Sequence, residues 1–203
     1  MKLKNTKLTL LSAGFIILFI FLGNWQLSRA NEKKLLLKSF AERGLLSPLN
    51  AAQLTRDMDL RFYLAQLHGT FDNAHTLLLD NKIQDGKIGY EVYTPFKADG
   101  LPAPILIDRG FIGLGVSRQQ LPAIAPIPGK VTLKGFLNSP PRYFSYGKMT
   151  DSSRDSWPLR IEYLDAKELA RHLASPIFPL VLSLAPHDCG EYSDSLDART
   201  RAQ

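Results

Sequence analysis

An uncharged, apolar stretch of twenty residues, residues 8–27, constrains this chain more than any other feature of its sequence. A helix rises about 1.5 Å per residue, so a stretch of this length reaches across the roughly 30 Å hydrocarbon core of a bilayer. Trp25, near its end, has the amphipathic ring that suits a membrane–water interface. The sequence therefore predicts a transmembrane helix at residues 8–27, preceded by a short tail of residues 1–7.

A cleaved signal peptide is the alternative interpretation, because Lys2, Lys4 and Lys7 precede the apolar stretch. Cleavage needs small residues in an A-x-A-like arrangement, whereas residues 24–26 are Asn, Trp and Gln. We therefore expect an uncleaved anchor. The short leading tail has no room for a long transit peptide, which favours a bacterial inner membrane over an organelle. Basic residues flank both ends of the stretch, so the positive-inside rule leaves the orientation open.

The net charge of +6 does not indicate a nucleic-acid partner. Lys2, Lys4, Lys7 and Arg29 carry four of these charges without an acid among residues 1–29, and the rest of the chain mixes both signs. We expect no nucleic-acid partner because no basic stripe is visible on the domain. The excess is expected to lie at the membrane surface, near acidic headgroups. The lone Cys189 cannot form an internal disulfide.

Beyond the anchor, the pattern is mainly consecutive strands with helices at the ends. Residues 30–43 are rich in helix formers and continue the anchor helix until Gly44, which is placed as a C-cap glycine. The predicted strands span residues 61–67, 76–79, 89–96, 105–112, 131–137, 157–163 and 177–184. A short helix is expected from Ser47 to about Leu54, and another over 165–173. The expected fold class is α+β, with a mainly antiparallel sheet or open barrel and flanking helices.

Local signals refine this prediction at the turns and at the last strand. Residues 69–72 read as a turn between the first two strands, and Asp85-Gly86 and Asp99-Gly100 as the next two turns. Pro179 lies within the last predicted strand, which places part of that strand at a sheet edge.

The most unusual internal residues are Asp108 and Arg109, two charges within an otherwise apolar strand. A buried charge without a partner is very costly. Arg109 therefore either pairs with an internal acid at the end of the sheet, which we favour, or clamps a carboxylate such as a propionate in bidentate fashion. Trp25, Gln26 and Arg29 either form an ordinary interfacial anchor or dock a partner helix at the membrane surface.

No pattern in the chain indicates an enzyme or a metal centre. It has no Gly-rich phosphate loop, no G-x-S-x-G elbow and no paired Cys or His ligand set. His68 and His75 flank the predicted 69–72 turn and are expected to be exposed, His172 lies on the predicted helix, and His187 follows the last strand. Few histidines in proteins are haem or metal ligands, and we expect no metal site.

Several segments, in order along the chain, resemble the surfeit locus protein 1 family of cytochrome c oxidase assembly factors. The segments that carry the resemblance are Gly23-Asn-Trp-Gln-Leu-Ser-Arg29, Gly69-Thr-Phe-Asp72, Gly89-Tyr-Glu-Val-Tyr-Thr-Pro95, Ile107-Asp-Arg-Gly-Phe111, residues 131–137 and Trp157-Pro158. Phe111 stands where the family motif has Trp.

The resemblance implies an inner-membrane protein that is not an enzyme, with a cytoplasmic N-terminus and a periplasmic domain over residues 28–186. It implies a role in maturing a haem–copper oxidase, at the insertion of haem a into subunit I, with haem a bound at most transiently. Oxidase subunit I and the haem a synthesis machinery are the implied partners. The alternative is a single-pass, membrane-anchored interaction module that binds the oxidase or another membrane partner without a cofactor. A membrane-tethered hydrolase is disfavoured.

The family pattern includes a second membrane helix preceded by a histidine, and here residues 187–203 are polar. We expect this segment to be a disordered tail, and its composition is typical of truncation or a shifted reading frame. His187 lies near the position of the family's membrane-proximal histidine, which makes it the candidate haem ligand.

Overall fold

The structure is a computed structural model that describes residues 5–54, 58–115, 120–141, 149–150 and 157–184. It divides into two units, one ending at Leu45 and the other beginning at Leu46. The first unit is helix α1, Thr6–Gly44, which has no buried residues and contains an 18-residue window of mean hydropathy 2.0. By length and composition α1 can span a membrane, and the helix runs on beyond the apolar stretch as predicted.

The end of α1 differs in one detail from the prediction. Gly44 is the last helical residue, and the C-cap is Leu45 in the right-handed helical region. The helix therefore stops without the left-handed glycine cap that the sequence suggested.

The described residues of the second unit form a seven-stranded mixed sheet with one short α-helix, and most of these elements lie near the predicted positions. The elements are β1 Leu64–Phe71, β2 Leu77–Gln84, β3 Lys87–Ala98, β4 Ile105–Gly113, β5 Lys130–Asn138, β6 Leu159–Ile161, α2 Ala166–His172 and β7 Val181–Leu184. Asp165 caps α2, since its side chain accepts hydrogen bonds from the backbone N–H groups of Lys167 and Glu168. Turns at Asp85-Gly86 and Asp99-Gly100 are present as expected.

Five of the strands close into a barrel, which confirms the predicted fold class. The order is β1-β5-β7-β4-β3-β2-β6, and a further pairing between β1 and β3 closes the ring. The β4–β7 and β2–β6 pairs are parallel, and the other pairs are antiparallel. Beyond the barrel, β2 and β6 extend the sheet past β3.

Closure of the barrel depends on Gly69. A Cβ at this position would collide with the backbone carbonyl of Lys97 on β3, so only glycine lets the two strands approach this closely. The prediction of a turn at residues 69–72 was wrong. Strand β1 continues through Phe71, because Gly69, Thr70 and Phe71 pair with β3.

The predicted helix from Ser47 to Leu54 was also wrong. Only a single 3₁₀ turn forms, Ala51–Gln53, capped by Asn50. The preceding Leu49 is extended, because its N–H donates to the carbonyl of Leu64 at 2.8 Å and its carbonyl accepts from Gln66 N–H at 2.8 Å. Pairing with β1 thus overrides the local helix signal.

Strand β7 is central in the sheet, between β5 and β4, and not at an edge as the sequence suggested. The strand begins at Val181, after Pro179, so the proline removes no donor from the ladder. Both sides of β7 can therefore pair.

Three apolar clusters fill the domain. The barrel core includes Leu67, Ile105, Ile107, Leu133 and Leu182. The outer core lies between α2 and the sheet strands β2, β3, β4, β6 and β7, and includes Leu79, Tyr93, Leu106, Ile161 and Leu169. The third cluster consists of Leu78, Tyr90, Val92 and Ile112, with Leu114, Leu121 and Ile124 packed against it.

Candidate functional site

Two adjacent residues of β4 carry opposite charges to opposite faces of the sheet. Ile105 and Ile107 belong to the barrel core, and Arg109 continues their row by strand alternation. Leu106 belongs to the outer core, and Asp108 continues that row. Asp108 and Arg109, adjacent in the sequence, therefore lie in separate environments.

A β-bulge sits at this point of the strand. The register shifts between Glu91 and Tyr93, so Arg109 and Gly110 together face one residue of β3. Gly110 has a φ of 99°, a conformation that glycine adopts without strain. Bulges are common next to functional sites because they re-aim side chains.

The guanidinium of Arg109 is completely buried, with 0% exposure. Its Cζ lies 5.7 Å from the centroid of the Phe71 ring, and Nη2 donates a hydrogen bond to the carbonyl of Ala125 at 2.9 Å. Among the described residues, Nε and Nη1 have no hydrogen-bond acceptor. Burial lowers the pKa of Arg109 to about 10, so the group stays charged at neutral pH. The internal acid that we favoured as its partner is not found in this part of the chain.

A segment without regular secondary structure, residues 120–129, runs past this guanidinium; we call it the strap. Its Leu121 and Ile124 pack on the third apolar cluster. The side chain of Asn73 fastens it further along, donating from Nδ2 to the carbonyl of Ile127 and accepting from Ile127 N–H through Oδ1, both at 2.9 Å. The strap thus connects the Arg109 end of the barrel to the loop between β1 and β2.

The Asp108 side is an open cleft of about 270 Å³. Asp108 and Glu91 lie together in it, and Lys82 forms an ion pair with Glu91. The backbone N–H of Gly110 donates to Asp108 Oδ1 at 3.0 Å. Ser183 of β7 also lines the cleft. A carboxyl pair with a nearby ammonium can hold a shared proton at this surface.

Burial is the main cause that raises the pKa of Asp108, to about 7, and the neighbouring Glu91 adds to the shift. The hydrogen bond from Gly110 and the charge of Lys82 act in the opposite direction. Asp108 is therefore a group that exchanges its proton near neutral pH.

A second group of polar side chains surrounds His75. Its Nδ1 lies 2.9 Å from Asp72 Oδ2, and its ring meets the Trp157 ring edge to face with centroids 4.7 Å apart. A carboxylate on one ring nitrogen fixes the orientation of the imidazole and leaves the other nitrogen for a further contact. We expected His75 to be exposed, and its side chain is only 36% exposed.

The other predicted residues are spread over the chain. His68 is exposed and bonds Thr132 Oγ1 through Nδ1 at 2.7 Å, and His172 is exposed at the end of α2. His187 and Cys189 lie outside the described residues, as does the predicted tail. No three His, Cys, Asp or Glu side chains in the described ranges are close enough together to hold a metal ion.

The anchor flank forms part of one continuous helix. Trp25 is exposed on α1, and Arg29 Nη1 pairs with Glu32 Oε2 at 2.9 Å, one turn further on. Gln26 is exposed as well. These residues are available to a membrane surface or a partner, and their role stays a prediction.

Sequence reasoning missed three residues beside β4, namely Phe71, Lys82 and Glu91, and also Asn73, which fastens the strap. Phe71 and Glu91 stand inside segments that were singled out, but nothing in their order along the chain indicates which side chains the barrel brings together. Asn73 and the strap carry no hydropathy pattern. Only the folded domain brings these side chains together around β4 and the strap.

Comparisons with known proteins give one consistent result. The model of the SURF1 family matches residues 13–200 of the chain. A SURF1-like protein of Rickettsia bellii (strain RML369-C) is 41% identical over 110 residues, which are 53% of this chain and 43% of that protein. The matched part of the chain thus spans less than half the length of this relative.

Proposed function

The chain belongs to the SURF1 family, and we propose on this basis that it assists the assembly of cytochrome c oxidase at a bacterial inner membrane. The family match over residues 13–200 is the observation that carries the proposal, since it includes both the anchor and the barrel domain. Together with helix α1, this membership makes the chain a membrane protein. The bacterial inner membrane as its location is part of the proposal.

The finer proposal is that the domain helps haem a, as cargo, to reach oxidase subunit I. A helical anchor keeps such a factor in the same bilayer as an integral membrane client, so that encounters occur in two dimensions. His187 is the candidate contact for the haem iron, because neutral imidazole is a common axial ligand. The haem a synthesis machinery is the source of cargo that this role requires.

The orientation belongs to the same proposal: the N-terminus in the cytoplasm and the domain in the periplasm. Asn5 and Lys130 are both exposed, and they lie in the two separate units. In a Cys189→Ser background, Asn5→Cys and Lys130→Cys are matched single-cysteine probes. A membrane-impermeant maleimide added to spheroplasts should label Lys130→Cys and spare Asn5→Cys. The reverse labelling pattern would contradict this orientation.

Binding of cargo is tested on the full chain in detergent by absorbance spectroscopy after addition of haem a. We expect a Soret shift that His187→Ala abolishes and that His172→Ala, a change at an exposed histidine on α2, leaves intact. If His187→Ala binds haem a as well as the parent does, the proposed ligand is wrong. A chain that gives no shift but copurifies with subunit I would favour the alternative, an interaction module without a cofactor.

Assembly itself is tested in a strain that lacks its own family member. The parent chain should restore haem a content and oxidase activity in the membranes of that strain. Subunit I that accumulates without haem a in the uncomplemented strain would support the insertion step. Oxidase that assembles fully without the chain would overturn the proposal.

A further inference from the structure

Arg109 is a cation without a counterion among the described residues. Arg109 is completely buried, and a buried unpaired charge costs several kcal/mol even after the protein relaxes around it. Arginine cannot avoid this cost by losing its proton at neutral pH. A carbonyl and an aromatic ring compensate only part of the lost hydration.

The carboxylate nearest in sequence is directed elsewhere. Asp108 belongs to the opposite face, where its Oδ1 accepts from Gly110 N–H, and Glu91 is paired with Lys82. The described barrel interior on the Arg109 side is apolar at residues such as Ile107, and the buried polar residue opposite Ile107 is the uncharged Thr94, whose hydroxyl lies 3.3 Å from Thr76 Oγ1. No acid in the described part of the chain therefore neutralises the guanidinium.

The free donors are arranged for a planar anion. Nη2 carries two hydrogens, and only one of them can be directed at Ala125. The two Nη2 hydrogens lie on different edges of the guanidinium, one beside Nε–H and the other beside an Nη1–H, so the bond to Ala125 leaves one of these edges free. Neither Nε nor Nη1 has an acceptor in the described residues, so a carboxylate on the free edge accepts two parallel hydrogen bonds.

Charge balance and surroundings select the ligand class. One carboxylate carries a single negative charge and leaves the buried pair neutral, whereas a phosphate dianion would leave a net charge beside the Phe71 ring. Apolar side chains extend from this point in both directions, into the barrel core and into the third cluster beneath Leu121 and Ile124. A carboxylate on an apolar body matches this arrangement.

The strap controls access to the guanidinium. It has no regular secondary structure, and hydrogen bonds from Arg109 and Asn73 hold it across the sheet. Segments with few ordered backbone contacts open at low free-energy cost. A ligand can therefore enter where the strap lifts, with its carboxylate next to Arg109.

We propose that Arg109 is a binding site for the carboxylate of an amphiphilic ligand, which enters beneath the strap of residues 120–129 and neutralises the buried guanidinium. Two sources share this chemistry, a fatty acid from the bilayer and the carboxylate side chain of a porphyrin. Only the porphyrin source rests on the proposed function.

The test uses the full chain in phosphatidylcholine nanodiscs with isotopically labelled arginine. The probes are dodecanoate, metal-free protoporphyrin IX, and the methyl ester of each. We expect an acid to shift the Nε–Hε resonance of Arg109 and its ester to leave that resonance unchanged. A response to dodecanoate alone indicates a lipid ligand, a response to protoporphyrin alone indicates a porphyrin, and a response to both supports a general carboxylate site.

Variants separate binding from folding. Arg109→Met should weaken binding of the acid at least tenfold, Arg109→Lys should give an intermediate loss, and Arg171→Gln should bind as the parent does, because Arg171 is exposed on α2. Circular dichroism confirms that each variant is folded. If neither acid moves the Arg109 resonance, or the esters act like the acids, the proposal is overturned. Because the porphyrin carries no iron, this result is independent of haem a binding through His187.

Discussion

The two faces of strand β4 handle a buried charge in different ways. On the outer face, Asp108 shares a cleft with Glu91 and Lys82, and burial raises its pKa to about 7, so that it can take up a proton. On the inner face, Arg109 stays charged and contacts a carbonyl and the Phe71 ring. A carboxyl group can lose its charge when it is desolvated, but a guanidinium cannot, so only the inner face keeps a charge without a neutralising partner among the described residues.

The largest loss of stability is expected for a substitution at Phe71, which packs on the inner face. Phe71 is buried against Phe96, with ring centroids 5.0 Å apart, while Phe111 lies half-buried at the cleft. Phe71→Ala should lower the free energy of unfolding by about 3–5 kcal/mol, and Phe111→Ala by about half as much or less. Urea unfolding of the full chain in detergent measures both. Equal losses would mean that the two faces are packed alike.

The substitution Asp108→Asn tests the outer face through the pH dependence of stability. The folded-state pKa of about 7 lies above the ordinary 3.8, so the folded protein holds the proton more tightly. The resulting stabilisation is complete below about pH 4 and is lost as the pH rises through 7. The variant stays neutral, and it should therefore gain stability relative to the parent across this window, on the order of 1 kcal/mol per pH unit.

Urea unfolding between pH 4 and pH 8 measures this difference. Asp99→Asn is the matched control, because it removes a carboxylate from an exposed site paired with Lys130. A constant difference between Asp108→Asn and the parent at every pH would show that Asp108 is not protonated in the fold.

Asn73→Ala tests the strap with a smaller effect. Two hydrogen bonds to Ile127 are lost, and because they lie near the surface the expected loss is about 1 kcal/mol. Hydrogen exchange of the Ile127 amide should become faster, while exchange within the barrel strands stays the same. Asn138→Ala, which removes a side-chain bond to Ser183, is the control. Unchanged exchange at Ile127 would mean that Asn73 does not fasten the strap.

The sequence predicted the strands because their apolar and turn residues are local signals. Strand β4 was placed correctly, since residues 105–107 are apolar and Gly110 permits the bulge. These local signals failed where strand pairing determines the conformation. Leu49 is extended because it pairs with β1. Strand β7 is central because its hydrogen-bonded ladder begins after Pro179.

The same limit applies to the site. Asp108 and Arg109 were identified as a pair of charges in an apolar run, but their separation onto two faces depends on the barrel. The acid expected beside Arg109 is absent from the described residues, and the contacts of Phe71, Ala125 and Glu91 depend on how the barrel and the strap fold. Charged residues in an apolar strand thus identify a candidate site, and the topology of the barrel determines the surroundings of each charge.

Arg109 has no counterion among the described residues, and we propose that it binds an external carboxylate. The free energy of unfolding of Arg109→Met, measured without ligand, shows whether the guanidinium is unpaired. Replacing an unpaired buried charge by an apolar side chain of similar volume should leave stability unchanged or raise it by about 1–4 kcal/mol. If Arg109 were paired with an acid of the chain, its loss would leave that acid buried alone. A decrease of about 3–5 kcal/mol would therefore contradict the account.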